Sequence, residues 1–275
     1  CLEINKNKDD VWKYTNKGNT VAIITDGTAV LGLGDIGPEA SIPVMEGKAV
    51  ILKKFADIDS YPLCMKFDKN PDFDKYVEKF QEAVECLEPC LGGINLEDIK
   101  APYCFDLQTN LDQKMDIPVF HDDQDGTGII IIAGIMNALE LNGKKIDEIK
   151  ILINGAGAAG IACARLLLEF GVKKERIFIC DSQGLITNRR SVNKYKEEFA
   201  QDLEDCDLAT AIKGKDIFIG VSVRNILSKD MVRSMNNDSI IFAVANPIPE
   251  IMPEDAIEAG AFVVGSGRSD YDNQV

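Results

Sequence analysis

The stretch Lys150–Gly160, KILINGAGAAG, decides how the rest of the chain is read. Ile151 to Asn154 form a short apolar run that stops at a glycine, as expected of a strand buried on both faces. Gly155, Gly157 and Gly160 follow with the spacing G-x-G-x-x-G, and Ile161 to Leu168 continue with the small and apolar residues of a helix. In a dinucleotide-binding turn each glycine has its own task. Gly155 turns the chain tightly, Gly157 lets the backbone approach a pyrophosphate, and Gly160 lets helix and strand pack closely. The unpaired N–H groups of the helix start, those of Ala156, Ala158 and Ala159 included, would hold the phosphates. A second strand, Arg176 to Cys180, ends in Asp181, 21 residues after Gly160, where a carboxylate would accept ribose hydroxyls. Glycine turns also cap ordinary helices. The strand before, the helix after and the acid at this distance favour the nucleotide reading.

The composition narrows the partners. The 275 residues carry 30 Lys and Arg against 45 Asp and Glu, a formal net charge of −15. Such a chain lacks the basic surface on which sequence-independent nucleic-acid binding rests. No apolar run approaches the ~18 residues of a membrane span. The eight cysteines are scattered, without a C-x-x-C pair or a histidine at zinc spacing, so reduced thiols and a cytoplasmic location are expected. His121 is the single histidine.

Outward from the glycine turn, strands alternate with helices, which predicts parallel sheets and an α/β architecture. Towards the N-terminus the expected elements are a strand at residues 20–25, a helix at 39–56 carrying Lys48, and a strand at 62–66. An amphipathic helix at 72–87, a strand at 90–96, a helix at 101–114, a strand at 117–120 and a helix at 127–141 follow. Beyond Asp181 come helices at 193–201, 207–213, 229–235 and 253–259, with strands at 216–221, 239–245 and 261–265. The division is placed near residue 125: a smaller α/β domain over 1–125, then a Rossmann-type dinucleotide-binding domain with a parallel sheet over 126–275.

Ligands of open α/β sheets sit beyond the carboxyl ends of the strands, and three expected strand ends are unusually polar. Glu97-Asp98 follows one, Asp122-Asp123 a second and Asn246 a third. Two carboxylate pairs brought together repel unless a cation neutralises them, and all-oxygen ligands suit Mg²⁺ or Mn²⁺. Either pair alone reads equally as a helix cap. Lys48, behind Gly47, reads on its own as a solvated surface lysine. Near a metal and a cationic nicotinamide it could shed its proton near neutral pH and act as a base.

With these residues in hand, the sequence resembles malic enzyme, in its shorter bacterial form. The resemblance runs through Thr25–Gly37 (TDGTAVLGLGDIG), Val44–Lys48 (VMEGK), Gly93–Asp98 (GINLED), Phe120–Gln124 (FHDDQ), Asn154–Gly160, Ala245–Pro247 (ANP) and Gly267–Tyr271 (GRSDY). It implies oxidation and decarboxylation of L-malate to pyruvate and CO₂ with NAD or NADP and a divalent metal. Carried over residue by residue, it implies Glu97, Asp98 and Asp123 as metal ligands. Lys48 is then the general base with Asp122 beside it, Asn246 a substrate-binding residue and Ser222 a cofactor-binding one. A homo-oligomer, expected as a dimer, goes with it.

Three departures accompany the resemblance. The family's catalytic tyrosine, the C3 proton donor, would lie before Cys1, and an asparagine pair would follow Val275, so a truncated record of a longer enzyme is expected. Asp125 stands where small relatives more often carry histidine. Asp181 argues for NAD by repelling a 2′-phosphate, whereas Arg189 and Arg190 could accept one. Two alternatives stay open on sequence alone: a metal-independent dehydrogenase of the amino-acid type, and a nucleotide-binding module without catalysis.

Overall fold

A computed structural model describes residues 1–67 and 72–275. Its contacts divide the chain into two units, Cys1–Asp122 and Asp123–Val275. In the first, short helical turns over residues 2–19 lead into β1 (Thr20–Thr25), followed by the helix Gly37–Ala56 and β2 (Asp59–Cys64). The helix Phe73–Glu85, β3 (Gly93–Leu96), the helix Tyr103–Lys114 and β4 (Val119–His121) complete it. The four strands pair in the order β2-β1-β3-β4, all parallel.

Parallel strands are covered on both faces, which accounts for the complete burial of Ala22, Ile23, Ile24 and Leu96. The helix Phe73–Glu85 buries Tyr76, Val77, Phe80 and Val84, the three-and-four spacing read from the sequence, and Asp72 caps it by accepting from the Lys75 N–H. The helix Gly37–Ala56 starts with Pro38 in its first turn and buries only Ser41 and Met45. β2 starts three residues earlier than expected, because Asp59 to Cys64 pair residue for residue with all of β1. Pro62 is accommodated there because β2 is an edge strand. The segment expected as a strand from residue 90 begins instead with a 3₁₀ turn, Glu88–Cys90, and β3 starts at Gly93.

The second unit opens with the turn Asp122–Gly126, shared with the end of β4, and the helix Thr127–Asn142. That helix ends at Gly143, whose φ of 73° is left-handed and whose N–H donates to the Leu139 carbonyl at 2.9 Å. β5 (Ile151–Asn154), the helix Ala158–Glu169, β6 (Ile177–Asp181), β7 (Gly184–Leu185), β8 (Ile217–Gly220), β9 (Ile240–Ala243) and β10 (Val263–Ser266) follow. The sheet order is β10-β9-β8-β5-β6-β7, parallel except for the short antiparallel edge strand β7. Leu152, Phe218, Ile241 and Ala243 form one apolar core with Ile212 and Ile251.

The helix expected at 193–201 shrinks to one turn, Lys194–Glu197. Residues after it are drawn into other bonds: the Gln201 N–H donates to the Ile186 carbonyl, and its side chain donates to the carbonyls of Lys174 and Ile177. Among the described residues, no helix is long and apolar enough to cross a membrane.

Candidate active site

In the first unit, chemistry gathers at the carboxyl ends of β3 and β4. The side chain of Lys48, from the middle of the helix Gly37–Ala56, lies across them. Its Nζ donates to Asp122 Oδ2 at 2.8 Å and stands 3.1 Å from Glu97 Oε1. Glu97 is buried, and its other oxygen accepts from Asn95 Nδ2 at 2.7 Å. Burial works against the Lys48 ammonium, but the charge of Glu97 and the hydrogen bond and charge of Asp122 outweigh it. The Lys48 pKa therefore stands above the ordinary lysine value.

Asp98 next to Glu97 is buried with φ +54°, a left-handed conformation that aspartate tolerates. Its carbonyl accepts from the Ala29 N–H at 2.9 Å, which ties the loop after β1 to the end of β3. Burial first, and the neighbouring charge of Glu97 second, push its carboxyl up to about 6. Asp123 is one peptide bond from Asp122, so the end of β4 carries it. One carboxylate oxygen from each of Glu97, Asp98 and Asp123 lies within 4.8 Å of the others. His121, just before them, is fully buried, and burial pushes its pKa down to about 4, which keeps the imidazole neutral.

Behind the first turn, a buried pair fixes that loop from below. The Tyr76 hydroxyl donates to Asp26, whose other oxygen accepts from the Thr28 N–H at 3.0 Å and the Thr28 hydroxyl at 2.6 Å.

In the second unit the three glycines take the positions expected of them. Gly155 has φ +124°, and a Cβ there would collide with the Val221 carbonyl; a Cβ on Gly160 would collide with the Gly155 carbonyl. Gly157 has nothing within 4 Å of where its Cβ would stand, and it precedes the helix Ala158–Glu169. The backbone is thus open where a phosphate would approach, beside Ala156, Ala158 and Ala159. Ser222 lies after β8, and its Oγ accepts from Asn154 Nδ2 at 2.6 Å. Asn246 lies after β9, and its Nδ2 donates to the carbonyls of Val244 and Gly267 at 3.3 and 3.2 Å.

Asp181, at the end of β6, is already engaged. Oδ1 accepts from Arg190 at 2.7 Å and from the Gln183 N–H at 3.0 Å, while Oδ2 accepts from Arg190 at 2.9 Å and from Lys196 at 2.8 Å. Three donors, Arg190 Nη2, Lys196 Nζ and the Gln183 N–H, thus engage both carboxylate oxygens. Burial opposes the carboxylate, but the hydrogen bonds of Lys196 and Arg190 prevail and hold its pKa below the ordinary range. Arg189 turns outward to Glu204. Lys196 was missed in the sequence because it sits in a run, 193–201, read only as a helix. Glu250 was missed as well: it is fully buried, and its carboxylate accepts from the N–H groups of Ser222 at 2.9 Å and Ala245 at 3.1 Å.

A lysine held by carboxylates on one parallel sheet, and a glycine turn of the dinucleotide type on another, define a two-unit α/β protein of dehydrogenase-like architecture. The family model for the malic enzyme N-terminal domain matches residues 2–112, and that for the malic enzyme NAD binding domain matches residues 124–269. The chain belongs to the malic enzyme family. It is 54% identical to the bifunctional malic/malolactic enzyme of Bacillus subtilis, over 100% of this chain and 66% of that protein. It is 50% identical to the probable NADP-dependent malic enzyme of Rickettsia prowazekii, over 100% of this chain and 35% of that protein. The crystal structure of NAD-dependent malic enzyme from Thermotoga maritima superposes with a TM-score of 0.92 at 45% identity, covering 100% of this chain and 72% of that one. The chain thus spans 66% and 35% of the length of the two curated relatives.

Proposed function

We propose that the protein containing this chain oxidises and decarboxylates L-malate to pyruvate and CO₂, with NAD(P) as hydride acceptor and Mg²⁺ or Mn²⁺ as the metal. The observation that carries the reading is Lys48 held between Glu97 and Asp122, beside three acids whose oxygens lie within 4.8 Å. The donor set fits a hard cation: the three ligands offer only oxygen, and Asp98 is pushed up to about 6 by burial and by Glu97, so positive charge is what the cluster lacks. When bound, a nicotinamide coenzyme would supply the hydride acceptor for C2, and a divalent ion held by Glu97, Asp98 and Asp123 would supply Lewis acidity towards the C2 oxygen.

The chain's own residues supply the first proton transfer and the binding groups. Lys48 takes the C2 hydroxyl proton, and Asp122 holds its Nζ in place for that transfer. The charge of Glu97 is the strongest pull keeping the proton on Lys48, so positive charge placed on Glu97 lowers the Lys48 pKa towards the value a base needs. Gly155 to Gly160, with Ser222, position the coenzyme, and Asn246 offers its amide to the substrate. The test is malate-dependent reduction of NAD(P) by the full-length protein with Mn²⁺ and again in EDTA. Turnover in EDTA would return the reading to a metal-independent dehydrogenase.

Within this reading the preferred coenzyme is NADP. Both oxygens of Asp181 are already engaged, and Arg190 and Lys196 outnumber that single carboxylate and suit a 2′-phosphate. The reading includes a homodimer, supported by the exposed apolar residues Val50, Ile51 and Phe55 of the helix Gly37–Ala56, which sedimentation of the full-length protein would test. It also includes a reducing, cytoplasmic setting, supported by eight cysteines that form no disulfide among the described residues.

A further inference from the structure

Glu250 combines three properties seldom found together. Its side chain is fully buried, it is charged when ionised, and among the described residues no cation pairs with it. Burial accordingly pushes its pKa up, and the backbone donors of Ser222 and Ala245 work against that rise. A buried carboxylate is costly unless its oxygens are met by donors. Here each oxygen is met by a backbone N–H from a different loop: Oε1 by Ser222, after β8, and Oε2 by Ala245, after β9.

Those two loops lie beyond the carboxyl ends of neighbouring strands, where ligands of open α/β sheets bind. The first carries Ser222, whose hydroxyl is bonded to Asn154 at the end of β5, immediately before Gly155. Val221 of the same loop donates to the Asn154 carbonyl at 3.0 Å and supplies the carbonyl against which Gly155 is packed. The second carries Asn246 one residue after the bonded amide. The backbone has been shaped around the carboxylate: a Cβ on Gly220 would collide with it. The backbone of Glu250 is itself anchored, with its carbonyl accepting from the Leu227 N–H at 3.0 Å.

We propose that Glu250 is a positioning residue for the coenzyme and substrate face of the second unit, acting through the backbones of Ser222 and Ala245 on Ser222 and Asn246. The inference rests on the function proposed above. Losing one of the two bonds lets the loops part, and misplacement of binding groups by about 1 Å costs up to ~10² in rate.

The test uses Glu250→Gln in the full-length protein. Glutamine keeps the shape but turns an NH₂ donor towards one of the two N–H groups, so one bond is lost and the other kept. The expected result is a rise of about tenfold or more in the NADPH Kd, read by coenzyme fluorescence, and in the malate KM, at wild-type far-UV circular dichroism. A purely structural residue would lower the melting temperature and the active fraction, and with it kcat, while leaving Kd and KM alone; that result overturns the inference. A wild-type protein that binds no nicotinamide coenzyme overturns the proposed function itself and the inference with it, whereas normal wild-type binding with an unchanged variant overturns only the role of Glu250. Should the variant fail to fold, hydrogen exchange on the wild type decides. Protected Ser222 and Ala245 amides, slowed further by NADPH, support the role, and exchange at ordinary loop rates contradicts it.

Discussion

Asp98 and Asp181 are the same residue type at the ends of parallel strands, yet their surroundings treat them in opposite ways. Asp98 is buried beside Glu97, and its carboxyl is pushed up to about 6. Asp181 is only half-buried, and Lys196 and Arg190 hold its pKa below the ordinary range. The comparison teaches that neighbouring charge decides how an acid at a strand end responds to burial: Glu97 works with burial against the Asp98 carboxylate, whereas Lys196 and Arg190 overcome it at Asp181.

The largest effect that can break this contrast is on catalysis. Lys48→Ala in the full-length protein should lower kcat by ~10²–10⁴, the scale of a lost acid–base group, with the NADPH Kd unchanged. Turnover within a few-fold of wild type would remove Lys48 from the chemistry, and a weakened coenzyme Kd would show that the two regions do not act separately.

Lys196→Ala sharpens the other side. It should lower the kcat/KM preference for NADP over NAD by about tenfold, roughly 1.4 kcal/mol, because one of two cations facing Asp181 is removed. An unaltered preference would place the 2′-phosphate elsewhere, and a gain in NADP use would reverse the reading.

How much of this could be read beforehand differs between the regions as well. The glycine turn was legible because each step, buried strand, Gly155, Gly157, Gly160 and helix, lies in one contiguous stretch. Glu97-Asp98 and Asp122-Asp123 were legible as pairs because acids at the ends of apolar runs are conspicuous. The neighbourhood of Lys48 and Asp122, 74 residues later, came only with the resemblance and not from the residues themselves, since it depends on β1, β3 and β4 pairing in one order. The enclosure of Asp181 was not legible either. Lys196 stands in a run read only as a helix, and its bond to Asp181, 15 residues earlier, is a tertiary contact without a local signal. Glu250 carries no local signal, because only the packing of two loops turns an acid after Asn246-Pro247 into a buried acceptor.

The smallest expected effect concerns stability against pH. Asp181 has a folded pKa below its unfolded value of about 3.9, so its contribution is present above that value and is lost as pH falls through the folded pKa. Asp181→Asn should therefore lower the melting temperature most near neutral pH, and the gap from wild type should close as the solution is acidified below about pH 4. A constant gap across that range would mean that the carboxylate charge is not what Arg190 and Lys196 stabilise.

The contrast between the two acids comes down to whether the first cluster is completed by a cation. The direct measurement is a thermal melt of the full-length protein with Mn²⁺ and in EDTA, repeated on Asp123→Asn and on Asp181→Asn. The account predicts that Mn²⁺ raises the wild-type melting temperature by mass action, that Asp123→Asn loses most of this rise, and that Asp181→Asn keeps it. A melting temperature indifferent to Mn²⁺, or an Asp123→Asn variant that responds as fully as wild type, would contradict it.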